Sequence, residues 1–202
     1  MSLDWDRLAS AYPRQVPWER VALAAAVDLA GLAPEETLVD LGTGTGELLA
    51  EVARRQRRPR IAIGVDTSPA MLRHVPSLPS GWRVMRASVE ALPLGAGSAD
   101  VVTAAYLLHV LADDARANAL AEARRVLRPG GRFVCVTPFA PPRGAARAGA
   151  AALDLAAAVA PGRLGGLRTL DPRPELAASG FTVLRARTLR RGYPSLCVLA
   201  RL

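Results

Sequence analysis

Glycine recurs at every second position in Val39-Asp40-Leu41-Gly42-Thr43-Gly44-Thr45-Gly46. A strand entering this run and a helix leaving it would bring bare backbone up to a ligand and aim N–H groups at it, which suits a charged cofactor. A plain strand-to-helix turn with spare glycines is the simpler alternative, and the strand–helix alternation around the run weighs against it. A dinucleotide fingerprint needs glycine at its first, third and sixth positions; counted from Gly42 the sixth is Glu47, so the spacing does not fit NAD. A carboxylate there is a poor neighbour for a pyrophosphate and a tolerable one for a cation. Asp66 falls at the carboxyl end of the next expected strand, where a carboxylate accepts hydrogen bonds from two ribose hydroxyls. A capping role for Asp66 competes with this, but Ser68 already supplies the cap.

His109 follows Leu107 and Leu108 near the carboxyl end of a later strand, the side of an α/β sheet where ligands bind. It is a candidate general base for an acceptor hydroxyl or activated carbon, balanced against a structural histidine that starts the next helix. His74 ends a helix and reads as a surface cation. Cys135 and Cys197 each sit inside an apolar run without a partner at metal-binding spacing, so they read as buried core thiols. No Ser-His-Asp array and no metal-ligand cluster stands out.

The elements that must position these residues follow from hydrophobic period and turn chemistry. Helices are expected at 4–11 and 17–30, then strand 37–41, helix 47–57, strand 60–65, helix 69–75 and strand 82–87. Strand 99–105, helix 113–127 and strand 131–137 continue the series, with a tight turn at Pro129-Gly130-Gly131. Ser68-Pro69 is a cap followed by proline at the first helical position. Such β-α-β repetition implies a parallel sheet covered on both faces. A helix at 174–178 leads to strands 181–189 and 195–202, joined by a link too short for a crossover, so the last strand must run antiparallel to its predecessor.

The chain has 202 residues, consistent with one domain: a helical cap over 1–33, a cofactor-binding core over 37–137, a variable substrate-side insert over 138–172 and a closing helix and strand pair over 173–202. Half the residues are hydrophobic but few are aromatic, so the core must be built from Ala, Val and Leu. All 26 basic residues are arginine and the net charge is +8. The arginines are scattered rather than striped, which favours biased composition over nucleic-acid binding, and the run Arg54, Arg55, Arg57, Arg58 and Arg60 suits the end of a helix. The opening residues carry no secretory signal and no stretch is long enough to span a bilayer, so a cytoplasmic location is expected.

Five segments occur in order: Asp40-Leu41-Gly42-Thr43-Gly44-Thr45-Gly46, Gly64-Val65-Asp66-Thr67-Ser68-Pro69-Ala70-Met71-Leu72, Glu90-Ala91-Leu92-Pro93-Leu94, Ser98-Ala99-Asp100-Val101-Val102 and Val126-Leu127-Arg128-Pro129-Gly130-Gly131. Together they resemble class I S-adenosylmethionine-dependent methyltransferases, in the group that includes the ubiquinone and menaquinone biosynthesis C-methyltransferases. The resemblance implies a Rossmann-like, doubly wound α/β fold with a seven-stranded sheet and a reversed last strand. It implies S-adenosylmethionine as cofactor and S-adenosylhomocysteine as product. Asp40, Gly42, Thr43, Gly44, Thr45 and Gly46 would line the methionine end, Asp66 would hold the ribose, and Thr67, Met71, Ser88 and Val89 would surround the adenine. Ala105 and Tyr106 would approach the methionine. Trp5-Asp6-Arg7-Leu8-Ala9 and Tyr12 resemble the family's N-terminal lid. Many members place aspartate at the position of Ser88, so the adenine contact here lacks charge assistance. The glycine-rich insert suits a small or lipophilic acceptor; Arg143, Arg147, Arg163 and Arg168 suit an anionic one. The alternatives are an RNA methyltransferase drawing on the positive charge and a cofactor-binding protein without turnover.

Overall fold

The alternation read from the sequence appears strand by strand in a computed structural model, which describes residues 5–9, 16–139, 168–192 and 194–202. Helices α1 (Trp5–Leu8) and α2 (Val16–Ala30) precede β1 (Thr37–Leu41). Next come α3 (Glu47–Ala53), β2 (Ile61–Asp66), α4 (Pro69–Leu72), β3 (Trp82–Arg86) and β4 (Ala99–Ala105). A single 3-10 turn at Leu108–Val110 leads into α5 (Asp113–Val126) and β5 (Leu127–Pro138), and the chain closes with α6 (Arg173–Ala178), β6 (Thr182–Leu189) and β7 (Ser195–Arg201). The strands form one seven-stranded sheet in the order β3-β2-β1-β4-β5-β7-β6. Only β7 is reversed, pairing antiparallel with both β5 and β6, as the short 190–194 link requires.

Strand alternation divides the core between the two faces of the sheet. Leu38, Ala62, Val101 and Val134 point toward α2 and α3, where Leu23, Ala26, Leu49 and Val52 meet them. Their neighbours Val39, Ile63, Val102 and Phe133 point the other way, toward Leu120, Ala123 and Leu176 of α5 and α6. The alanines of α2 let its backbone lie close to the sheet, near enough for the Cys197 thiol to donate to the carbonyl of Ala22. Both cysteines are free and buried, and burial pushes the Cys197 thiol up to about 12, so neither is a nucleophile. Arg132 closes the end of α2: its guanidinium donates to the carbonyls of Ala30 and Gly31 and grips Glu36 through both carboxylate oxygens.

Some boundaries shift for local reasons. Helix α3 stops at Ala53 rather than at 57, because Arg55 N–H turns back to Val52 and Arg58 caps the carbonyl of Ala53. Helix α4 is likewise a single turn that ends at Leu72. The Pro129-Gly130-Gly131 turn lies inside β5, not before it. Leu127 faces Ala99 and Arg132 faces Val101, so residues 128–131 bulge out, with Gly130 in the left-handed region at φ 76°. Residues 140–167 and the lid residue Tyr12 lie outside the described residues, and Arg143, Arg147 and Arg163 with them. Both flanks of that insert are tied to the carboxyl end of β5 and the link before β7. Phe139 N–H donates to Pro194, Leu170 N–H donates to Pro138, and the Thr137 hydroxyl donates to Leu170. No helix among the described residues is long and apolar enough to cross a membrane.

Candidate active site

The glycine loop leaves β1 and enters α3 with Gly42, Gly44 and Gly46 all in the left-handed region, at φ 62°, 54° and 80°. Two of these glycines are also confined. A Cβ on Gly42 would come 2.7 Å from Leu107, and one on Gly46 would come 2.9 Å from Val75. Gly44 is different: a Cβ there would meet nothing nearer than the Gly42 carbonyl at 4.0 Å, so the space before it is open to a ligand. The loop is locked from within by the N–H of Thr43 donating to Val65 and that of Gly46 donating to Thr43.

Asp66 is part of that lock. One carboxylate oxygen accepts from the N–H of Gly44 at 2.9 Å and the other from the N–H of Ser68 at 2.8 Å. Burial raises its carboxyl above the ordinary range, opposed by these bonds. Each oxygen keeps a further lone pair, which is what two adjacent ribose hydroxyls need. Ser68 caps α4 through Met71 N–H and gives its own hydroxyl proton to Asp6 of α1. Asp6 also accepts from Ala70 N–H, and the Ser68 bond holds its carboxyl below the usual range. Trp5, Leu8 and Ala9 then pack on Ala70 and Met71. The expected lid segment is thus pinned beside the Asp66 turn.

Around the expected adenine position, Met71 and Val89 are buried while Thr67 is exposed. The Ser88 hydroxyl accepts from Glu90 N–H at 3.1 Å, which occupies part of the capacity it would offer an adenine amino group.

At the other end of the loop a small pocket, open to solvent, is lined by Glu19, Leu23, Asp40, Gly42, Thr43, Glu47, Leu48, Ala105 and Tyr106. Asp40 is 1% exposed, accepts from the Thr103 hydroxyl at 2.7 Å and is pushed up to about 6 by burial. Its neighbours in the lining include two more carboxylates, Glu47 and Glu19. The acidic lining favours a positively charged occupant. Thr45 is buried with a hydroxyl that has no partner among the described residues.

The sequence reading missed Glu19. It is 4% exposed, and the signal was its place on the buried face of α2, three and four residues before Ala22 and Leu23.

Tyr106 lines this pocket, but its phenol is committed elsewhere. The backbone sits at φ 53°, unusual for an aromatic residue, and the hydroxyl bonds Ser195 of β7 at 2.8 Å. His109 is near Tyr106, ring edge to ring face at 6.3 Å, and is not part of the pocket lining. It is 3% exposed, its Nδ1 has no partner among the described residues, and burial, helped by Arg168, pushes it down to about 3. The ring is therefore neutral and a weak base. Two arginines hold its turn: Arg168 donates to the carbonyls of His109 and Leu111, while Arg116 donates to those of Leu108 and Leu111 and pairs with Glu175. His74 is exposed and bonds back to the carbonyl of Ala70, a helix-end role.

Comparison with known proteins bears on the family and the fold. Residues 38–131 match the family described as "Methyltransferase domain". A demethylmenaquinone methyltransferase of Thermus thermophilus is 37% identical over 124 residues, 59% of this chain and 55% of its own length. A malonyl-[acyl-carrier protein] O-methyltransferase of Methylococcus capsulatus is 32% identical over 174 residues, 83% of this chain and 60% of its own length. The chain thus spans about half the length of such relatives. Among solved structures, a methyltransferase in complex with the Trm112 methyltransferase activator of Haloferax volcanii superposes with a TM-score of 0.76 at 17% identity, covering 100% of this chain and 98% of that one. That likeness speaks to the fold, and the sequence matches speak to the family. Residues 38–131 carry a methyltransferase domain, and the chain is similar to the class I S-adenosylmethionine-dependent methyltransferases of the menaquinone type.

Proposed function

We propose that this protein binds S-adenosylmethionine between Asp40 and Asp66 and directs methyl transfer onto a small acceptor, lipophilic or anionic. The observation that carries the reading is the open face of Gly44, flanked by a carboxylate with spare lone pairs at Asp66 and an acidic pocket at Asp40, Glu19 and Glu47. The cofactor supplies a methyl group on a cationic sulfur that is its own leaving group. The chain's residues then have mainly to bind and align. Asp66 accepts from the ribose, Met71 and Val89 enclose the adenine, Ser88 meets its edge, and Asp40 with the neighbouring carboxylates receives the cationic end. Thr67, Thr43, Thr45 and Ala105 complete the surface, and Tyr12 belongs to the lid. His109 keeps an uncharged ring beside Tyr106, and with so low a basicity it serves to shape the acceptor side rather than to take a proton. The relatives' names give demethylmenaquinone and malonyl-[acyl-carrier protein] as acceptors, one lipophilic and one anionic.

Thermal shift with S-adenosylmethionine, S-adenosylhomocysteine and NAD tests the cofactor. The first two should raise the melting temperature, and stabilisation by NAD alone would sink the reading. Single-turnover assays with labelled methyl against quinol and acyl-thioester acceptors then test the transfer itself.

A further inference from the structure

Residues 181–202 hold five arginines and no Asp or Glu. Arg55, Arg116, Arg125, Arg128, Arg132 and Arg173 elsewhere in the chain are all ion-paired. Arg185, Arg187, Arg190, Arg191 and Arg201 make no ion pair or hydrogen bond among the described residues, and those on β6 and its hairpin are exposed.

Register places these cations. Arg185 and Arg187 lie opposite Leu199 and Cys197, and so share their side of the sheet. That is the side of α2, since the Cys197 thiol reaches the carbonyl of Ala22. The hairpin presses on the start of α2 so closely that a side chain at Gly192 would run into the backbone carbonyl of Trp18. Trp18 and Val21, one helical turn apart, are 57% and 43% exposed there. The hairpin runs directly into Ser195, whose hydroxyl bonds Tyr106 of the pocket, so the patch lies at the same end of the sheet as the candidate site.

We infer that Trp18, Val21, Arg185, Arg187, Arg190 and Arg191 form a docking surface for an anionic lipid bilayer. The composition selects that occupant. An acidic protein surface would be met by the arginines alone and gives no part to an exposed indole and valine beside them. Phosphates of RNA are met by cations and need no exposed valine. A sheet of mobile anionic headgroups needs uniform positive charge together with an indole and an aliphatic side chain at the interface. Docked in this way, the mouth faces the layer in which a lipophilic acceptor dissolves, a link to catalysis that rests on the function proposed above.

Sedimentation with vesicles of phosphatidylcholine alone, and with phosphatidylglycerol added, tests the surface without any acceptor. Binding should require phosphatidylglycerol and weaken as salt rises. It should fall about fivefold for each of Arg190→Gln and Arg191→Gln, and about 25-fold for the pair. Trp18→Ser should lower it severalfold while the salt sensitivity remains. Melting temperatures and S-adenosylmethionine calorimetry on the same samples show that the variants are folded and, separately, whether the cofactor reading stands. No binding, equal binding to both vesicles, or loss with the arginine variants but none with Trp18→Ser would overturn the proposal. The last result points to a soluble polyanion, such as an acidic carrier protein or RNA.

Discussion

Asp40 and His109 stand near the carboxyl ends of the adjacent strands β1 and β4 and are almost equally sealed, at 1% and 3% exposed. Burial moves them in opposite directions, Asp40 up to about 6 and His109 down to about 3, because it suppresses charge on both. Their surroundings then differ. Asp40 keeps a hydroxyl donor, opens on a pocket and shares it with two other carboxylates, so a cationic ligand can restore its charge. His109 has an arginine on its own carbonyl and, among the described residues, no partner for Nδ1, so both burial and Arg168 oppose its protonation. The pocket side is poised to respond to charge, and the turn beside it is held neutral.

The largest effect that could break this comparison is acid stability. The unfolded chain protonates His109 below its ordinary value of 6.5, whereas the folded chain resists until about 3. Stability from this group is present above pH 6.5 and is lost as pH falls toward 3, on the order of 5 kcal/mol over the window. Urea unfolding across that range should show a shallower slope in His109→Gln, and an unchanged slope would mean that the ring is not sealed.

Asp40 should act in the opposite sense. Its unfolded value of 3.8 lies below the folded value of about 6. Between them the folded state holds the extra proton, so stability falls as pH rises, by on the order of 3 kcal/mol. Asp40→Asn should therefore be more stable than the parent at pH 7 by up to about that amount. Cofactor affinity in the parent should tighten as pH rises through 6, and Asp40→Asn should lose both that dependence and about tenfold in affinity by calorimetry.

The arginine hold on the His109 turn is expected to matter less, because Glu175 is partly exposed. Arg116→Met should cost about 2 kcal/mol in urea unfolding, with cofactor affinity near the parent value. A large loss of affinity would show that the two regions are mechanically coupled. Smallest is Ser88→Asp, which can keep the turn to Glu90 and add charge assistance, tightening cofactor binding about fivefold. No tightening would place Ser88 away from the adenine amino group.

What the sequence disclosed was whatever local period and spacing encode. Strand β1 with its glycine loop, Asp66 at the end of β2, the Ser68 cap and the reversal of β7 all follow from runs of a few residues. For Glu19 the period of α2 could show only that it lies on the buried face, because nothing within the helix says that this face shares a pocket with Asp40. Tyr106 was placed correctly along the chain, but its bond to Ser195 spans 89 positions and leaves no local trace. The same holds for His109, whose basicity is set by enclosure and by Arg168 rather than by its neighbours in sequence. The Pro129-Gly130-Gly131 signal was real, yet pairing with β4 turned an expected boundary into a bulge.

The place of β7 has a consequence for how the molecule is made. It is synthesised after β6 but lies between β5 and β6. Strands β1 to β5 can therefore pair as they emerge from the ribosome, while β6 has no partner until β7 arrives and threads into the gap. A nascent chain halted before Ser195 carries one sheet rim and one solitary strand in search of hydrogen bonds, the most aggregation-exposed moment in its biogenesis.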